Sequence, residues 1–103
     1  MEIDIHTLKQ KIDAKESIVI IDCRQIEERE FGIISKDTHL PLHELESRYA
    51  EIPKDKMIIV YCRSGHRSLY ACSFLRRQGY EQVFNLKGGI LAWRKIDPSI
   101  TPY

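Results

Sequence analysis

The apolar positions along the chain change period several times, and each change marks an element. Met57-Ile58-Ile59-Val60-Tyr61 is an uninterrupted run, rich in β-branched residues, of the kind a strand buried on both faces shows. Ile18-Val19-Ile20-Ile21 is a second such run. Gln82 to Leu86 reads as another strand, Thr38-His39-Leu40 as a short edge strand, and Ile3 closes a short first strand. Between them the spacing turns helical. Leu8 and Ile12 share one face of a helix with Asp4 as its N-cap. Gln25 to Phe31 forms a short helix that Gly32 ends as a left-handed cap. Pro41 opens a helix carrying Leu42, Leu45 and Tyr49 on one face. Ser68, Ala71, Cys72 and Leu75 mark a helix from Ser68 to Gln78, stopped by Gly79, and a short helix through Ala92 and Trp93 follows Lys87-Gly88-Gly89. Asp97 to Tyr103, with two prolines, reads as an irregular tail. Strands alternating with helices in this way predict an α/β fold: a three-layer α/β/α sandwich around a mostly parallel sheet.

Length adds that residues 1–103 form one domain. Hydrophobic residues are 43% and charged residues 30%, the balance of a globular chain rather than a disordered one. Sixteen basic residues against fifteen acidic ones leave a formal charge of +1, which argues against nucleic acid or a membrane surface as partner, since both need a basic excess. The first residues show no secretory signal, and no apolar run approaches a membrane span. Three cysteines, Cys23, Cys62 and Cys72, form no CxxC pair, and an odd number cannot all pair within the chain. Reduced thiols and a cytoplasmic location are the expectation.

The candidate chemistry lies where the central run ends. Cys62-Arg63-Ser64-Gly65-His66-Arg67-Ser68 joins a strand to a helix. A cysteine is nucleophilic as the thiolate, so its surroundings must lower its pKa. Arg63 and Arg67 bring permanent positive charge, and the helix that Ser68 opens turns its positive end toward the loop. Gly65 frees the backbone, so that the amides from Arg63 to Arg67 can converge on the Cys62 sulfur as an anion-binding nest. His66 reads equally well as a donor-binding or a solvent-facing residue. Asp22 and Arg24 are expected to form a structural ion pair that steadies the loop. Cys72 falls on the apolar helix face and Trp93 on a helix that must pack on the sheet, so both are assigned to the core. His6, His39 and His43 read as surface or turn residues.

The loop resembles the active-site loop of the rhodanese family, the thiosulfate sulfurtransferases. Other segments match in order: Ile21-Asp22-Cys23-Arg24 with Glu27 and Glu28 is similar to an early Asp-x-Arg segment, Leu40-Pro41-Leu42-His43-Glu44-Leu45 to a Pro-Leu-x-Glu-Leu helix start, and Leu86-Lys87-Gly88-Gly89 with Ala92-Trp93 to a closing Gly-Gly…Ala-Trp signature. The chain departs from the family at Gly32-Ile33-Ile34-Ser35-Lys36-Asp37, where many members carry Gly-His-Ile-Pro-Gly-Ala. It departs again at Cys23, where an aliphatic residue is usual and which reads as a core substitution. The resemblance implies a five-stranded parallel sheet and a double displacement without cofactor. Cys62 takes the outer sulfur of a small anionic donor such as thiosulfate and passes it from a persulfide to cyanide or to a small-molecule or protein thiol. Arg63, Ser64, Gly65, His66 and Arg67 bind the donor, and Asp22, Arg24 and Ser68 support the loop. A monomer or weak dimer is expected.

Three other readings stand beside it. Cysteine-dependent phosphatases place an arginine after five intervening residues, whereas Arg67 follows Cys62 after four. A metal site lacks partners, because Cys62 and His66 are joined by no CxxC and no second histidine pair. A non-catalytic rhodanese-like binding module is disfavoured by a cysteine retained within its full basic loop.

Overall fold

The computed structural model describes all of residues 1–103. Five strands, β1 (Glu2–Ile3), β2 (Ile18–Asp22), β3 (Thr38–His39), β4 (Met57–Tyr61) and β5 (Val83–Leu86), form one sheet in the order β1-β5-β4-β2-β3. Every neighbouring pair is parallel. β4 lies in the middle because it is apolar on both sides. Its alternate residues feed two separate cores, and each fully buried Ile or Val adds about 1.5–3 kcal/mol of transfer free energy. Ile58 and Val60 pack with Ile21, Leu45, Ala71, Cys72 and Leu75 beneath α2 (Leu45–Arg48) and α3 (His66–Arg77). Ile59 and Tyr61 pack with Leu8, Leu86, Ile90 and Trp93 beneath α1 (Ile5–Asp13) and α4 (Gly89–Trp93). The result is the three-layer sandwich that the alternating pattern predicts, with five strands. No helix is long and apolar enough to cross a membrane.

Several local expectations are corrected. The segment after β2 is a 3-10 helix, Ile26–Phe31, with no buried residue. It lacks an apolar face to pack, and its side chains are drawn into ion pairs instead. Gly32 ends it at φ 131° and ψ 161°, a positive-φ conformation essentially confined to glycine but outside the left-handed helical region. Pro41 precedes a broken helix, 3-10 at Leu42–Glu44, α at Leu45–Arg48 and 3-10 again at Tyr49–Glu51. The helix placed at Ser68 begins two residues earlier, at His66, because Gly65 adopts φ 104° and ψ 0° and turns the chain directly into it. Residues 97–103 carry no helix or strand, yet Ile100 is buried and Tyr103 stacks on Phe31 with ring centroids 4.6 Å apart.

Candidate active site

β4 delivers Cys62 to the carboxyl edge of the sheet, where open α/β sheets place their ligands. Cys62 is 1% exposed. Gly65 N–H donates to it at 3.1 Å and Ser68 N–H at 3.4 Å. Ser68 is the third residue of α3, so the second of these donors is one of the amides a helix start leaves without an internal partner. The nest therefore draws on Gly65 and Ser68, not on the whole stretch from Arg63 to Arg67. The Ser68 hydroxyl stands 3.3 Å from the sulfur and 2.5 Å from Asn85 Oδ1. One hydroxyl proton serves two acceptors, so protonation of Cys62 and the orientation of Ser68 are coupled.

The thiol of Cys62 is pulled down to about 4, first by the Cys23 thiol alongside and then by Ser68 and the Gly65 amide, against the opposing effect of burial. Hydrogen bonding, ahead of the arginine charges, is what stabilises the thiolate. Titrated through its ultraviolet thiolate absorbance, with the Cys62→Ser difference as blank, Cys62 is expected to stay ionised from neutrality down to acid pH and to protonate only as the pH falls toward about 4. A transition near the ordinary thiol value of about 8.5 would contradict the cradle described here. Burial pushes Cys72 up to about 12, as befits a core residue.

The backbone of the loop is clamped from the opposite layer. Ile90 N–H donates to the Cys62 carbonyl at 2.9 Å and Leu91 N–H to the Arg63 carbonyl at 3.1 Å. The clamp needs Gly89, with φ 62°, because a Cβ there would overlap the carbonyls of Cys62 and Arg63.

The two loop arginines have different surroundings. Arg67 is held in a two-pronged ion pair by Glu28, at 2.7 and 2.9 Å, and this pairing, ahead of a Tyr103 hydroxyl bond, draws Glu28 down to about 2. Arg63 is exposed, lies 5.1 Å from the Tyr103 ring centroid and donates to the Tyr103 carbonyl. Ser64 and His66 are exposed at the rim, with Ser64 Oγ and His66 Nδ1 3.2 Å apart.

Asp22 and Arg24 do form an ion pair, and both are fully buried. One Asp22 oxygen accepts from Arg24 Nε and its backbone N–H, the other from the Arg24 and Arg29 guanidiniums, all at 2.9 Å. Arg24 also donates to the carbonyls of Glu28 and Gly32 and to the Tyr103 hydroxyl. The pair thus fastens the segment that follows β2, and it reaches the cysteine loop through Glu28 and Arg67 and through Tyr103 and Arg63. Arg29 and Tyr61 meet on Asp37, a residue of the departing Gly32–Asp37 stretch. His39 is half-buried rather than superficial, with Nε2 2.7 Å from the Arg24 carbonyl. Trp93 is buried and donates from its indole to Asp97.

Two residues of the site were not singled out from the sequence. Asn85 is 1% exposed, accepts from Ser68 and donates to the Gly65 carbonyl at 3.0 Å. Its signal was an amide inside the run Val83-Phe84-Asn85-Leu86. Tyr103, which bridges Arg24 and Glu28, left no local signal.

The geometry is that of a buried cysteine sulfur in an amide cradle, and known proteins resemble the chain over most of its length. The family model of the rhodanese-like domain matches residues 4–96. A sulfurtransferase of Allochromatium vinosum is 44% identical over 94 residues, 91% of this chain and 88% of its own. The thiosulfate sulfurtransferase GlpE of Stutzerimonas stutzeri is 38% identical, over 79% of this chain and 74% of its own. Among solved structures, a rhodanese-related protein from Thermoplasma volcanium superposes with a TM-score of 0.85 at 29% identity, covering 98% of this chain and 94% of that one.

Proposed function

Because the chain belongs to the rhodanese-like domain family, we propose that it is a sulfurtransferase working through a persulfide on Cys62. The observation that carries this reading is the buried Cys62 sulfur accepting from the Gly65 and Ser68 amides at the start of α3, a setting that lowers its pKa. In the first half-reaction the Cys62 thiolate attacks the outer sulfur of thiosulfate, the bond joining the two sulfurs of the donor breaks, and sulfite leaves with the electron pair. In the second, cyanide or a thiolate attacks the outer persulfide sulfur, and Cys62 returns as thiolate. The cradle suits both forms, since each places one negative charge against the same amides. The GlpE relative, named for thiosulfate, supports that donor, and a persulfide or polysulfide donor fits the same chemistry.

Steady-state rates over a grid of donor and acceptor concentrations test the proposal. Parallel double-reciprocal lines are expected, with sulfite released before any acceptor is added; intersecting lines with no sulfite burst would overturn it. Recruitment of the anionic donor falls to Arg63, the exposed loop cation that no side-chain carboxylate neutralises, while Glu28 neutralises Arg67. Arg63→Ala is accordingly expected to raise KM for thiosulfate about three- to tenfold at low salt, and the effect should fade as salt screens the charge. Equal losses with an uncharged polysulfide donor would assign Arg63 a structural role instead.

A further inference from the structure

β2 and β4 pair in register from Ile18 against Met57 to Asp22 against Tyr61, so the next pair along is Cys23 and Cys62. The ladder continues past the strand ends, since Cys23 N–H donates to the Tyr61 carbonyl at 3.1 Å. Neighbouring strands run about 4.8 Å apart, and disulfides join Cα atoms about 4.4–6.8 Å apart. Partners across a parallel ladder point to the same face of the sheet. Both cysteines accordingly bury in the layer beneath α2 and α3, with Ile21, Ile58 and Val60. Both are free thiols, and Cys23 is 2% exposed. Cys72 enters the same layer from α3 and has no such register with Cys62.

We propose that Cys23 is a second reacting thiol of this site, which resolves the Cys62 persulfide into a Cys23–Cys62 disulfide and releases its outer sulfur as hydrosulfide. The step rests on the sulfurtransferase reading above. The Cys23 sulfur bonds to Cys62 Sγ, the bond from Sγ to the outer sulfur breaks, and that sulfur leaves with the electron pair and the Cys23 proton as HS⁻. Two cysteine sulfurs are oxidised to the disulfide while one sulfane sulfur is reduced to sulfide, so no outside oxidant is required. A dithiol, or two monothiols, then reduces the disulfide and restores the pair. In the resting site the hydrogen bond to Cys62 and burial hold the proton on Cys23; in the persulfide the negative charge lies on the outer sulfur, which takes that proton as the Cys23 sulfur attacks as thiolate. The added activity is reductive: with a thiol reductant, thiosulfate becomes sulfite and sulfide without an external acceptor in the transfer step.

The test has two arms on the intact protein, kept free of oxygen. In the first, equilibration in a glutathione redox buffer followed by alkylation and peptide mapping is expected to yield a Cys23–Cys62 linked peptide. Its absence, with Cys62 found only as a mixed disulfide or free thiol, overturns the proposal whatever the sulfur donor. In the second, reduced and desalted protein receives thiosulfate alone. Wild type is expected to release sulfite and sulfide in equal amounts and to end two hydrogens lighter. Cys23→Val and Cys23→Ser are expected to release sulfite, stay one sulfur heavier and lose the sulfide signal, with Cys72→Ala as wild type. Sulfite with a lasting wild-type persulfide overturns this proposal alone; no sulfite from any of the proteins overturns the sulfurtransferase reading and this step with it.

Discussion

Cys62→Ser is expected to remain folded and to lose sulfur transfer, with turnover falling by at least about 10⁴-fold. The loss is large because a serine hydroxyl stays protonated where a thiol ionises at about 4, and because oxygen cannot carry a sulfane sulfur through the second half-reaction. The fold survives, since a hydroxyl can accept from the Gly65 and Ser68 amides in the sulfur's place and the net effect of one such bond is about 1 kcal/mol. Mass spectrometry after incubation with thiosulfate is the check. Wild type should acquire sulfur or its disulfide product, and the variant neither; an added sulfur persisting in the variant would move the nucleophile to Cys23 or Cys72.

Asp22→Ala should produce the largest loss of stability. Asp22 answers two arginines, one fully buried and one with 22% of its side chain exposed, and its removal leaves the Arg24 charge without a carboxylate inside the protein. Removing one partner of a buried pair costs about 3–5 kcal/mol, against a total of about 5–15 kcal/mol for a domain. A domain of this size loses about 4–8 °C of Tm per kcal/mol, so a fall of roughly 12–40 °C is expected by thermal circular dichroism. Replacing both partners, as in Asp22→Ala with Arg24→Met, should recover part of that loss because no buried charge is then stranded beside the gap. A single variant within about 1 kcal/mol of wild type would show that water reaches the arginines.

Much of this architecture was legible in local patterns. The runs 18–21 and 57–61 carry their own evidence of double-sided burial, and the cysteine, glycine and arginines announce their chemistry within seven residues. What escaped depends on pairing over distance. Nothing local distinguishes a Glu28 that neutralises Arg67 from one that faces water, and nothing at Tyr103 tells that its hydroxyl bridges Arg24 and Glu28. Cys23 read as a packing residue because its role emerges only when β2 is laid in register beside β4. The short 3-10 helix after β2 escaped for a related reason: its ion pairs, not its apolar pattern, decide its form.

The backbone clamp from Ile90 and Leu91 onto the Cys62 and Arg63 carbonyls separates what must be kept from what can vary. Carbonyls and amides shape the cradle, and they are common to all residues, whereas the side chains of Arg63, Ser64 and His66 stand outward on the rim. Those three positions form an interchangeable face on a fixed chassis. Swapping them is a route to new sulfur donors and acceptors that leaves the reactive atom where it is.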